Sequence, residues 1–307
     1  MNILITGGAG FIGSHVADAC ISAGHHVIIV DDLSTGKLEN INSRAIFHKT
    51  DIRNSDLEKL LGKTHVDIII HHAAQMDVRK SVLNPAFDCS VNILGSVNLL
   101  EFARKTGVRR FIFASTGGAI YGEQDYFPAD EEHPQRPVSP YGISKLAVEK
   151  YLYFYNHVYD LQYISLRYAN VYGPRQNPNG EAGVIAIFSH TMLRGHQPVI
   201  NGDGTQTRDY IFVDDVVRAN MLAIQHPVTD IFNVGTGSET TVNELFTRIQ
   251  HFTGAKVEAI HGPVKQGEQL RSVLSYDKLH TAYGWSPSVT LREGLQRTVD
   301  YFRMPEP

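Results

Sequence analysis

Short apolar runs alternate with stretches of helical periodicity along the first half of the chain. The runs at residues 27–30 and 68–70 are β-branched and apolar on consecutive positions rather than on alternate ones. Strands that are covered by helices on both faces have this pattern. It predicts parallel strands at residues 2–6, 26–32, 45–52, 66–74 and 109–116, joined by crossover helices at residues 11–24, 85–107 and 141–159.

The alternation changes after residue 173, because residues 174–183 are rich in glycine, proline and asparagine. Such a stretch is typical of a loop and marks the first exit into a smaller domain. Strand-like and helical segments return later in the chain. We therefore predict an α/β fold with a doubly wound parallel Rossmann sheet in residues 1–173 and 207–238, and a smaller C-terminal α/β substrate domain built from the interleaved residues 174–206 and 239–307.

Composition narrows the class of protein. The 307 residues are 42% hydrophobic and 20% charged with a net charge of −4, which are globular values and argue against a general nucleic-acid binder. No apolar run approaches the roughly 18 residues that a membrane span needs, so we expect no membrane association and a cytoplasmic protein. Cys20 and Cys89 fall in separate predicted helices, and we expect both to be reduced thiols in the core.

A glycine-rich segment lies between the first predicted strand and the first helix. Gly7 would permit a tight turn, Gly10 would let backbone N–H groups approach a pyrophosphate, and Gly13 would let the helix pack closely on the strand. The second strand ends in Asp31-Asp32, where a carboxylate can accept hydrogen bonds from the adenosine ribose and repel a 2′-phosphate. These features predict NAD rather than NADP, unless the acid only caps the turn after it.

Tyr141 and Lys145 are four residues apart in a predicted helix, so their side chains share one face. A phenol is a poor base at neutral pH, but a nearby ammonium and a nicotinamide cation would favour the phenolate. Tyr141 could then take a proton from a hydroxyl, and Thr116, at the end of a predicted strand, could relay it. The plain alternatives are a chance pair on a solvated helix and a hydroxyl that binds local backbone.

Together with Asn92 and Ser115, these residues resemble the extended short-chain dehydrogenase/reductase family, also named the NAD-dependent epimerase/dehydratase family, over essentially the whole chain. The resemblance narrows to the sugar-nucleotide 4-epimerases of that family at residues 6–13, 31–36, 167–173 and 208–210. It implies reversible C4 epimerisation of a UDP-hexose, UDP-glucose or UDP-galactose, through a 4-keto intermediate with tightly bound NAD.

One feature separates epimerisation from the other reactions that the resemblance allows. Dehydratases and decarboxylases of the family carry an acid directly after the Thr116 position, whereas Gly117-Gly118 stands there in this chain. A glycine pair supplies no additional acid or base, which favours simple epimerisation. An epimerase of UDP-N-acetylhexosamines or UDP-hexuronates remains an alternative, and a noncatalytic NAD-binding regulator is the alternative from a different class.

The resemblance also implies the residues of the site. The catalytic residues would be Tyr141, Lys145 and Thr116. NAD would be contacted by Gly7, Gly10, Phe11, Ile12, Gly13, Asp31, Asp32, Leu33, Ser34, Thr35, Gly36, Asp51, Ile52, Ala73, Ala74, Gln75, Asn92, Ser115, Tyr141, Lys145 and Tyr168. The sugar nucleotide would be contacted by Thr116, Tyr141, Asn170, Gly183, Val184, Arg208, Lys265, Glu268 and Arg271.

The chain departs from the family pattern on the substrate side. Lys265 and Glu268 stand where arginine and aspartate are common, so the bidentate grip of an arginine is lost unless Arg271 replaces it. Asn201 occupies a position where relatives often stack an aromatic ring on uracil. Ser272 leaves room where a bulky residue closes the sugar pocket of some epimerases, so we expect some activity on UDP-N-acetylhexosamines.

The resemblance implies a homodimer, with helices 85–107 and 141–159 at its interface, although the aromatic residues 151–155 are equally compatible with core packing. The histidine pairs at residues 25–26 and 71–72 lack the spacing of metal ligands, and we predict no metal site. Asp214-Asp215 indicates the start of a helix rather than a pair of catalytic acids.

Overall fold

The computed structural model describes residues 1–54, 57–61, 64–179, 183–226, 228–264 and 269–304. Its strands are β1 (Asn2–Thr6), β2 (His26–Asp31), β3 (Ile46–Lys49), β4 (Ile68–His71), β5 (Arg110–Thr116), β6 (Gln162–Tyr168), β7 (Asn170–Tyr172), β8 (Val199–Asn201), β9 (Thr207–Arg208), β10 (Tyr210–Phe212), β11 (Asp230–Val234), β12 (Thr240–Thr241) and β13 (Ile260–Gly262).

The helices follow the same chain order. They are α1 (Phe11–Ser22), α2 (Leu57–Leu61), α3 (Val78–Leu83), α4 (Pro85–Cys89), α5 (Gly95–Thr106), α6 (Gly117–Tyr121), α7 (Pro140–Tyr159), α8 (Val184–Leu193), α9 (Val213–Gln225), α10 (Val242–Thr253), α11 (Asp277–Tyr283) and α12 (Leu291–Arg303). Among the described residues, no helix combines the length and apolarity that crossing a bilayer requires.

Seven strands within the described part of the chain form one sheet in the order β3-β2-β1-β4-β5-β6-β11. The pairs β1–β2, β2–β3, β1–β4 and β4–β5 are parallel, with Ile5 opposite both Ile29 and Ile70. Because β1 lies between β2 and β4, the strand order reverses at β1, and ligands of doubly wound sheets bind outside the carboxyl ends of the strands at such a point. The predicted fold class is confirmed.

Both faces of this sheet are buried, which explains the consecutive apolar runs. On one face, Leu4, Ile69 and Phe111 belong to a single core cluster with Leu99 of α5 and Leu152 of α7. The intervening residues of the strands, such as those at positions 3, 5 and 70, are fully buried on the other face. Each such side chain contributes about 1.5–3 kcal/mol to stability through its removal from water.

The helical stretch predicted at residues 85–107 is divided by a π-helical turn, Ser90–Leu94, between α4 and α5. Asn84 begins the stretch by accepting a hydrogen bond from Phe87 N at 3.0 Å, and Gly107, with a φ of 72°, ends it. The wider turn is common at functional sites, and here it contains the buried Asn92. Cys89 lies on the outer side of this stretch and is exposed, so the prediction that both cysteines are buried is wrong for Cys89.

Helix α7 begins one residue before the predicted start. The Ser139 hydroxyl caps it by accepting a hydrogen bond from Gly142 N at 3.2 Å, and Pro140 occupies its first turn. A Cβ atom at Gly142 would overlap the carbonyl oxygen of Ala119, so only glycine lets α7 approach the end of α6 this closely. This contact places the first turn of α7, which carries Tyr141, beside the segment that follows β5.

The described chain divides into two compact units, the first of Met1–Ile120, Pro137–Arg167 and Val217–Phe232, and the second of Tyr121–Arg136, Tyr168–Val216 and Asn233–Pro307. The units assign residues 121–136, 168–173, 207–216 and 233–238 differently from the predicted domains, and that domain division stays a prediction. In the second unit, Trp285 is buried and donates its indole N–H to the carbonyl oxygen of Asp215 at 3.3 Å. Asp214 and Asp215 lie in the first turn of α9, as predicted.

Candidate active site

The glycine-rich segment forms a tight loop at the carboxyl end of β1. Gly7 has a φ of 71°, and a Cβ atom there would lie 2.6 Å from Ala73 N. A Cβ atom at Gly13 would overlap the carbonyl oxygen of Gly7, so the first turn of α1 and the loop touch through backbone alone. Gly10 is the N-cap of α1, and no side chain caps that helix. The loop therefore brings the N–H groups of a helix N-terminus to the edge of the sheet.

Asp31 joins this loop to the end of β2. Its carboxylate accepts hydrogen bonds from Ala9 N at 3.0 Å and from Leu33 N at 2.8 Å, and burial raises its pKa. A Cβ atom at Gly36 would lie 2.9 Å from Asp31 Oδ1, so the turn after β2 is folded against the carboxylate. The acid does cap that turn, and the same carboxylate holds the glycine loop beside it.

The other predicted NAD contacts of the first unit stand at the carboxyl ends of neighbouring strands. Phe11 and Ile12 begin α1, and the exposed Asp32 accepts hydrogen bonds from Ser34 after β2. Residues 35, 51–52 and 73–75 follow β2, β3 and β4, and Ser115 lies at the end of β5. Since these ends share one edge of a parallel sheet, the structure brings this part of the predicted set together.

Tyr141 and Lys145 are neighbours, as their spacing predicts. Lys145 Nζ lies 5.9 Å from the centre of the Tyr141 ring and 4.7 Å from that of Phe113, and it donates a hydrogen bond to Ala114 O at 2.8 Å. Burial lowers the pKa of Lys145 to about 8, while the charges of nearby carboxylates act in the opposite direction. The lysine therefore remains mainly an ammonium at neutral pH.

The protein by itself does not favour the Tyr141 phenolate. Burial raises the pKa of Tyr141, and the negative charge of Asp88 raises it further. Without the cofactor, desolvation of the phenolate outweighs the Lys145 ammonium, and the expectation that the ammonium and a nicotinamide cation together favour the phenolate stays a prediction. The positive charge of a bound nicotinamide acts in the favourable direction.

Thr116 Oγ1 accepts a long hydrogen bond, 3.5 Å, from Ala119 N at the start of α6, and its relay role stays a prediction.

Two buried carboxylates beside this pair were missed by the sequence interpretation. Glu149, one turn beyond Lys145, is fully buried and accepts hydrogen bonds from Ser115 Oγ at 2.7 Å and Ser165 Oγ at 2.9 Å. It also forms an ion pair with the buried Arg167 at 2.6 Å. The same i, i+4 spacing that relates Tyr141 to Lys145 relates Lys145 to Glu149, and this signal could have identified the residue.

The second missed carboxylate is Asp88, which is fully buried in α4. It accepts hydrogen bonds from Gln75 Nε2, Asn92 Nδ2 and Ser144 Oγ at 3.1, 2.9 and 2.6 Å. Asn92 also holds the backbone of Gln75, accepting from its N–H at 2.8 Å and donating to its carbonyl oxygen at 2.9 Å. The side chain of Asn92 thus shapes the segment after β4.

The histidine pair at the end of β4 is built into the same edge of the sheet. His71 is buried, with its ring nitrogens 2.6 Å from Thr6 Oγ1 and 2.9 Å from Ser96 Oγ. Burial lowers the pKa of His71 well below its ordinary value and lowers that of His72 to about 3. In the described ranges, no group of three or more histidine, cysteine, aspartate or glutamate residues could hold a metal ion.

Of the predicted substrate contacts that the structure describes, all but Thr116 and Tyr141 lie in the second unit. Asn170 is exposed on β7, and its N–H donates to Asp209 O at 2.9 Å. Arg208 in β9 donates to Thr207 O at 2.8 Å. Tyr168, predicted to contact NAD, is buried at the end of β6, Gly183 is the N-cap of α8, and Val184 is the first residue of that helix. Lys265 and Glu268 lie outside the described residues.

Arg271 has partners of its own in the second unit. Its guanidinium pairs with Glu239, with Nε and Nη2 donating at 2.9 and 2.6 Å, and stacks 3.7 Å above the centre of the Phe127 ring. Ser272, next to it, is buried, and its carbonyl oxygen accepts from Asp209 N at 2.9 Å. Burial raises the pKa of Asp209 to about 6, and Asp209 in turn holds the loop at Thr236 through hydrogen bonds. A role for Arg271 in binding phosphate stays a prediction.

The described residues of the first unit fit a dinucleotide. The glycine loop and the start of α1 supply amide donors for a pyrophosphate, and Asp31 supplies a carboxylate at the strand end where an adenosine ribose binds in such folds. Tyr141 and Lys145 lie in the first turns of α7, and Lys145 binds Ala114 O near the carboxyl end of β5. Fold and site together define an NAD-binding enzyme of the short-chain dehydrogenase/reductase class.

Comparison with known proteins identifies the family. Residues 3–235 match the NAD dependent epimerase/dehydratase family, and the chain belongs to that family. It is 46% identical over 310 residues to the UDP-glucose 4-epimerase of Mycolicibacterium smegmatis, with 99% of each chain covered. The predicted resemblance is confirmed.

Solved structures agree with this assignment. The crystal structure of a UDP-glucose 4-epimerase from Thermotoga maritima with UDP-glucose superposes with a TM-score of 0.97 at 51% identity, and 99% of each chain is covered. That of the Thermus thermophilus UDP-glucose 4-epimerase in complex with NAD has a TM-score of 0.95 at 44% identity, also with 99% coverage of both chains.

Proposed function

We propose that this chain is an NAD-dependent isomerase that reversibly inverts C4 of a UDP-hexose, interconverting UDP-glucose and UDP-galactose. The single observation that carries the proposal is the Tyr141–Lys145 pair, which lies beside the carboxyl end of β5 in a fold that matches an epimerase solved with UDP-glucose. The cofactor is regenerated in every turnover, so no net oxidation or reduction occurs.

NAD, when bound, supplies a hydride acceptor and donor for the sugar carbon. The amide groups at the start of α1 would hold its pyrophosphate, and Asp31 would bind the adenosine ribose. Lys145 would bind the nicotinamide ribose through its ammonium, which the hydrogen bond to Ala114 O holds in place. The chemical steps at the sugar then depend on where this chain places its proton-transfer groups.

Tyr141 is the base that removes the proton of the sugar 4-hydroxyl, and it returns the proton after the 4-keto sugar has presented its other face. Lys145, whose pKa of about 8 keeps it cationic near neutrality, stabilises the phenolate by charge. Thr116 accepts or donates a hydrogen bond at the same hydroxyl. Gly117-Gly118 opens α6 directly after Thr116, which supports epimerisation over elimination because no acid stands there.

The substrate side of the proposal rests on residues of the second unit. Arg208 and Asn170 would bind the diphosphate, and Gly183 and Val184 would run along the nucleotide. Arg208 is only partly buried, which is compatible with an anionic partner. Lys265, Glu268 and Arg271 would complete the grip on phosphate and ribose.

The test is incubation of the purified protein with UDP-glucose or UDP-galactose without added NAD, followed by separation of the products. We expect interconversion from both sides to the same equilibrium mixture. The noncatalytic alternative predicts no turnover of either sugar, and a dehydratase predicts a deoxy-keto product instead. Either result would refute the proposal.

A second substrate is favoured by the small side chain of Ser272. We infer that UDP-N-acetylhexosamines are also epimerised, because serine leaves space where bulkier residues would stand. An NMR assay that compares UDP-galactose with UDP-N-acetylgalactosamine checks this point, and complete inertness of the latter would remove it. UDP-hexuronates belong in the same assay as the remaining substrate class.

We further propose that the protein is a homodimer and that α7 forms part of its interface. Tyr153, Phe154, Val158 and Tyr159 of α7 are exposed by 61%, 44%, 50% and 46%, and Leu94 is exposed by 60%. Large exposed apolar patches mark association surfaces. Tyr153→Glu with Val158→Lys should convert the dimer to a monomer in analytical ultracentrifugation. A cytoplasmic location stays a prediction, which cell fractionation would check.

A further inference from the structure

Asp88 is a buried carboxylate that the proposed mechanism does not use. Its solvent exposure is 0%, and its oxygens accept hydrogen bonds from Gln75, Asn92 and Ser144 at 3.1, 2.9 and 2.6 Å. We name these residues the Asp88 cluster. A fully buried carboxylate is costly unless hydrogen bonds compensate it, so the cluster is a built feature of the fold rather than an incidental contact.

The cluster connects segments that carry different parts of the site. Gln75 follows β4, and its backbone is bound by Asn92 through hydrogen bonds of 2.8 and 2.9 Å. Ser144 lies between Tyr141 and Lys145 on α7, so its 2.6 Å bond ties the catalytic helix to the same carboxylate. Tyr141 N is also within 3.2 Å of Ser81 Oγ, on α3, so α7 is fastened on the same side at a second point.

Asp88 also places a negative charge beside the catalytic pair. Among the described residues, no basic side chain forms an ion pair with it, so its charge is not balanced by direct contact. This charge raises the pKa of Tyr141 and acts to raise that of Lys145. It therefore opposes the phenolate while it helps to keep the lysine cationic.

Other charged or titratable groups around the pair act differently. Glu149, on the same helix, also favours the charged form of Lys145, but it is paired with Arg167. At the neighbouring strand end, burial and the charge of Lys145 both lower the pKa values of His71 and His72. Removal of the Asp88 carboxylate should therefore shift the pKa values of both Tyr141 and Lys145.

We propose that Asp88 is a positioning residue that fastens the catalytic helix to the segment after β4 and sets the charge beside Tyr141. The inference rests on the proposed function for its kinetic part. Its binding part does not, because the segment after β4 is a predicted NAD contact whatever sugar is used. Loss of the carboxylate should therefore change both cofactor affinity and the pH dependence of turnover.

Asp88→Asn is the primary variant, because it keeps the shape and removes the charge. We expect kcat to fall about tenfold to a hundredfold through misplacement of α7, with little change in the KM for the sugar nucleotide. Both limbs of the pH profile should move to lower pH, by about half a unit or more, because the pKa values of Tyr141 and Lys145 both fall when the charge is removed. NAD affinity, measured by equilibrium dialysis, should weaken about tenfold.

Two further variants separate position from charge. Ser144→Ala removes one hydrogen bond and keeps the carboxylate, so kcat should fall while both pH limbs stay in place. Asp215→Asn is the matched control, since Asp215 is equally buried and accepts from Ser288 Oγ at 2.8 Å and Val289 N at 3.1 Å, in the second unit. It should lower the unfolding temperature without altering NAD affinity or the pH limbs.

Unchanged NAD affinity and unchanged pH limbs in Asp88→Asn, with an active wild type, would overturn the inference and leave the proposed function standing. If the wild type turned over no UDP-hexose, and Asp88→Asn bound NAD more weakly than the wild type, the proposed function would be refuted and the binding part of the inference would stand. If Asp88→Asn does not fold, Ser144→Ala decides, because wild-type kcat in that variant would exclude the fastening role.

Discussion

Lys145 Nζ donates a 2.8 Å hydrogen bond to the carbonyl oxygen of Ala114, and this bond attaches the second turn of α7 to the end of β5. Ala114 directly precedes Ser115 and Thr116. The ammonium is thereby held at a fixed place near the Tyr141 ring, although burial disfavours its charge. The charged form of Lys145 is therefore less favourable in the folded protein than in the unfolded chain.

The first prediction concerns Lys145 and pH. Its pKa is about 8 in the folded chain and 10.5 ordinarily, so below pH 8 both states carry the ammonium and only the folded state bears the cost of burying it. Between pH 8 and 10.5 the unfolded state binds more protons, and stability rises with pH. In NAD-free protein, the wild type should gain about 3 kcal/mol relative to Lys145→Met over this window.

Urea unfolding at several pH values measures this difference. Lys150→Met, at an exposed position of the same helix, is the control and should track the wild type throughout. A constant gap between the wild type and Lys145→Met from pH 7 to 10.5 would mean that the folded lysine titrates at its ordinary pKa.

The second prediction tests the base. Tyr141→Phe removes the hydroxyl that carries the proton and leaves the ring packed beside Lys145, so the fold and bound NAD should be retained. The rate of epimerisation should fall by about a thousandfold or more, because phenylalanine has no group that can take the proton of the sugar 4-hydroxyl. Product separation after incubation with UDP-galactose provides the measurement.

Tyr151→Phe is the matched control for this experiment, because Tyr151 lies on the same helix and is 41% exposed. It should epimerise at the wild-type rate. Full activity in Tyr141→Phe would show that another group takes the proton.

The third prediction concerns the glycine loop. A methyl group at Gly13 would overlap the carbonyl oxygen of Gly7, so Gly13→Ala must displace the loop from the start of α1. NAD affinity should fall at least about a hundredfold, since the amide donors no longer converge on the pyrophosphate. Gly107→Ala is the control, because it has open space but a φ of 72°, and it should cost about 1 kcal/mol of stability without affecting NAD. Equal NAD affinity in both variants would contradict the assigned role of the loop.

The sequence predicted the sheet, the glycine loop and the Tyr141–Lys145 pair because each is marked by a pattern of nearby residues in the chain. Consecutive apolar residues report burial on both faces, and i, i+4 spacing reports a shared helix face. For Asp88 the local signal is incomplete: Asn92 lies four residues after it, but Gln75 lies 13 residues before it and Ser144 lies 56 residues after it, and only the tertiary fold brings these two to the carboxylate. The π-helical turn at Asn92 likewise depends on that packing rather than on local propensity.

The direction of the Tyr141 pKa shows a second limit. The sequence identifies which charges are near a side chain along a helix, but it does not show how completely water is removed from it. Desolvation is the largest contribution for Tyr141 and Lys145, and it acts against the charged form of both. The exposure of Cys89 was mispredicted for the same reason, because helix α4 presents this residue outward.

The last prediction concerns the buried pair of Glu149 and Arg167, whose side chains are exposed by 0% and 1%. Glu149→Gln removes the charge that balances Arg167 but keeps an oxygen for the hydroxyls of Ser115 and Ser165, so it should destabilise the protein by about 3–5 kcal/mol. Glu149→Gln combined with Arg167→Met removes both charges and should be less destabilised than Glu149→Gln alone. Arg248→Ala breaks the exposed pair with Glu244 and should cost only about 0.5 kcal/mol. A loss in the double variant equal to the sum of the losses in Glu149→Gln and Arg167→Met, each measured by urea unfolding, would mean that the two charges are not energetically coupled.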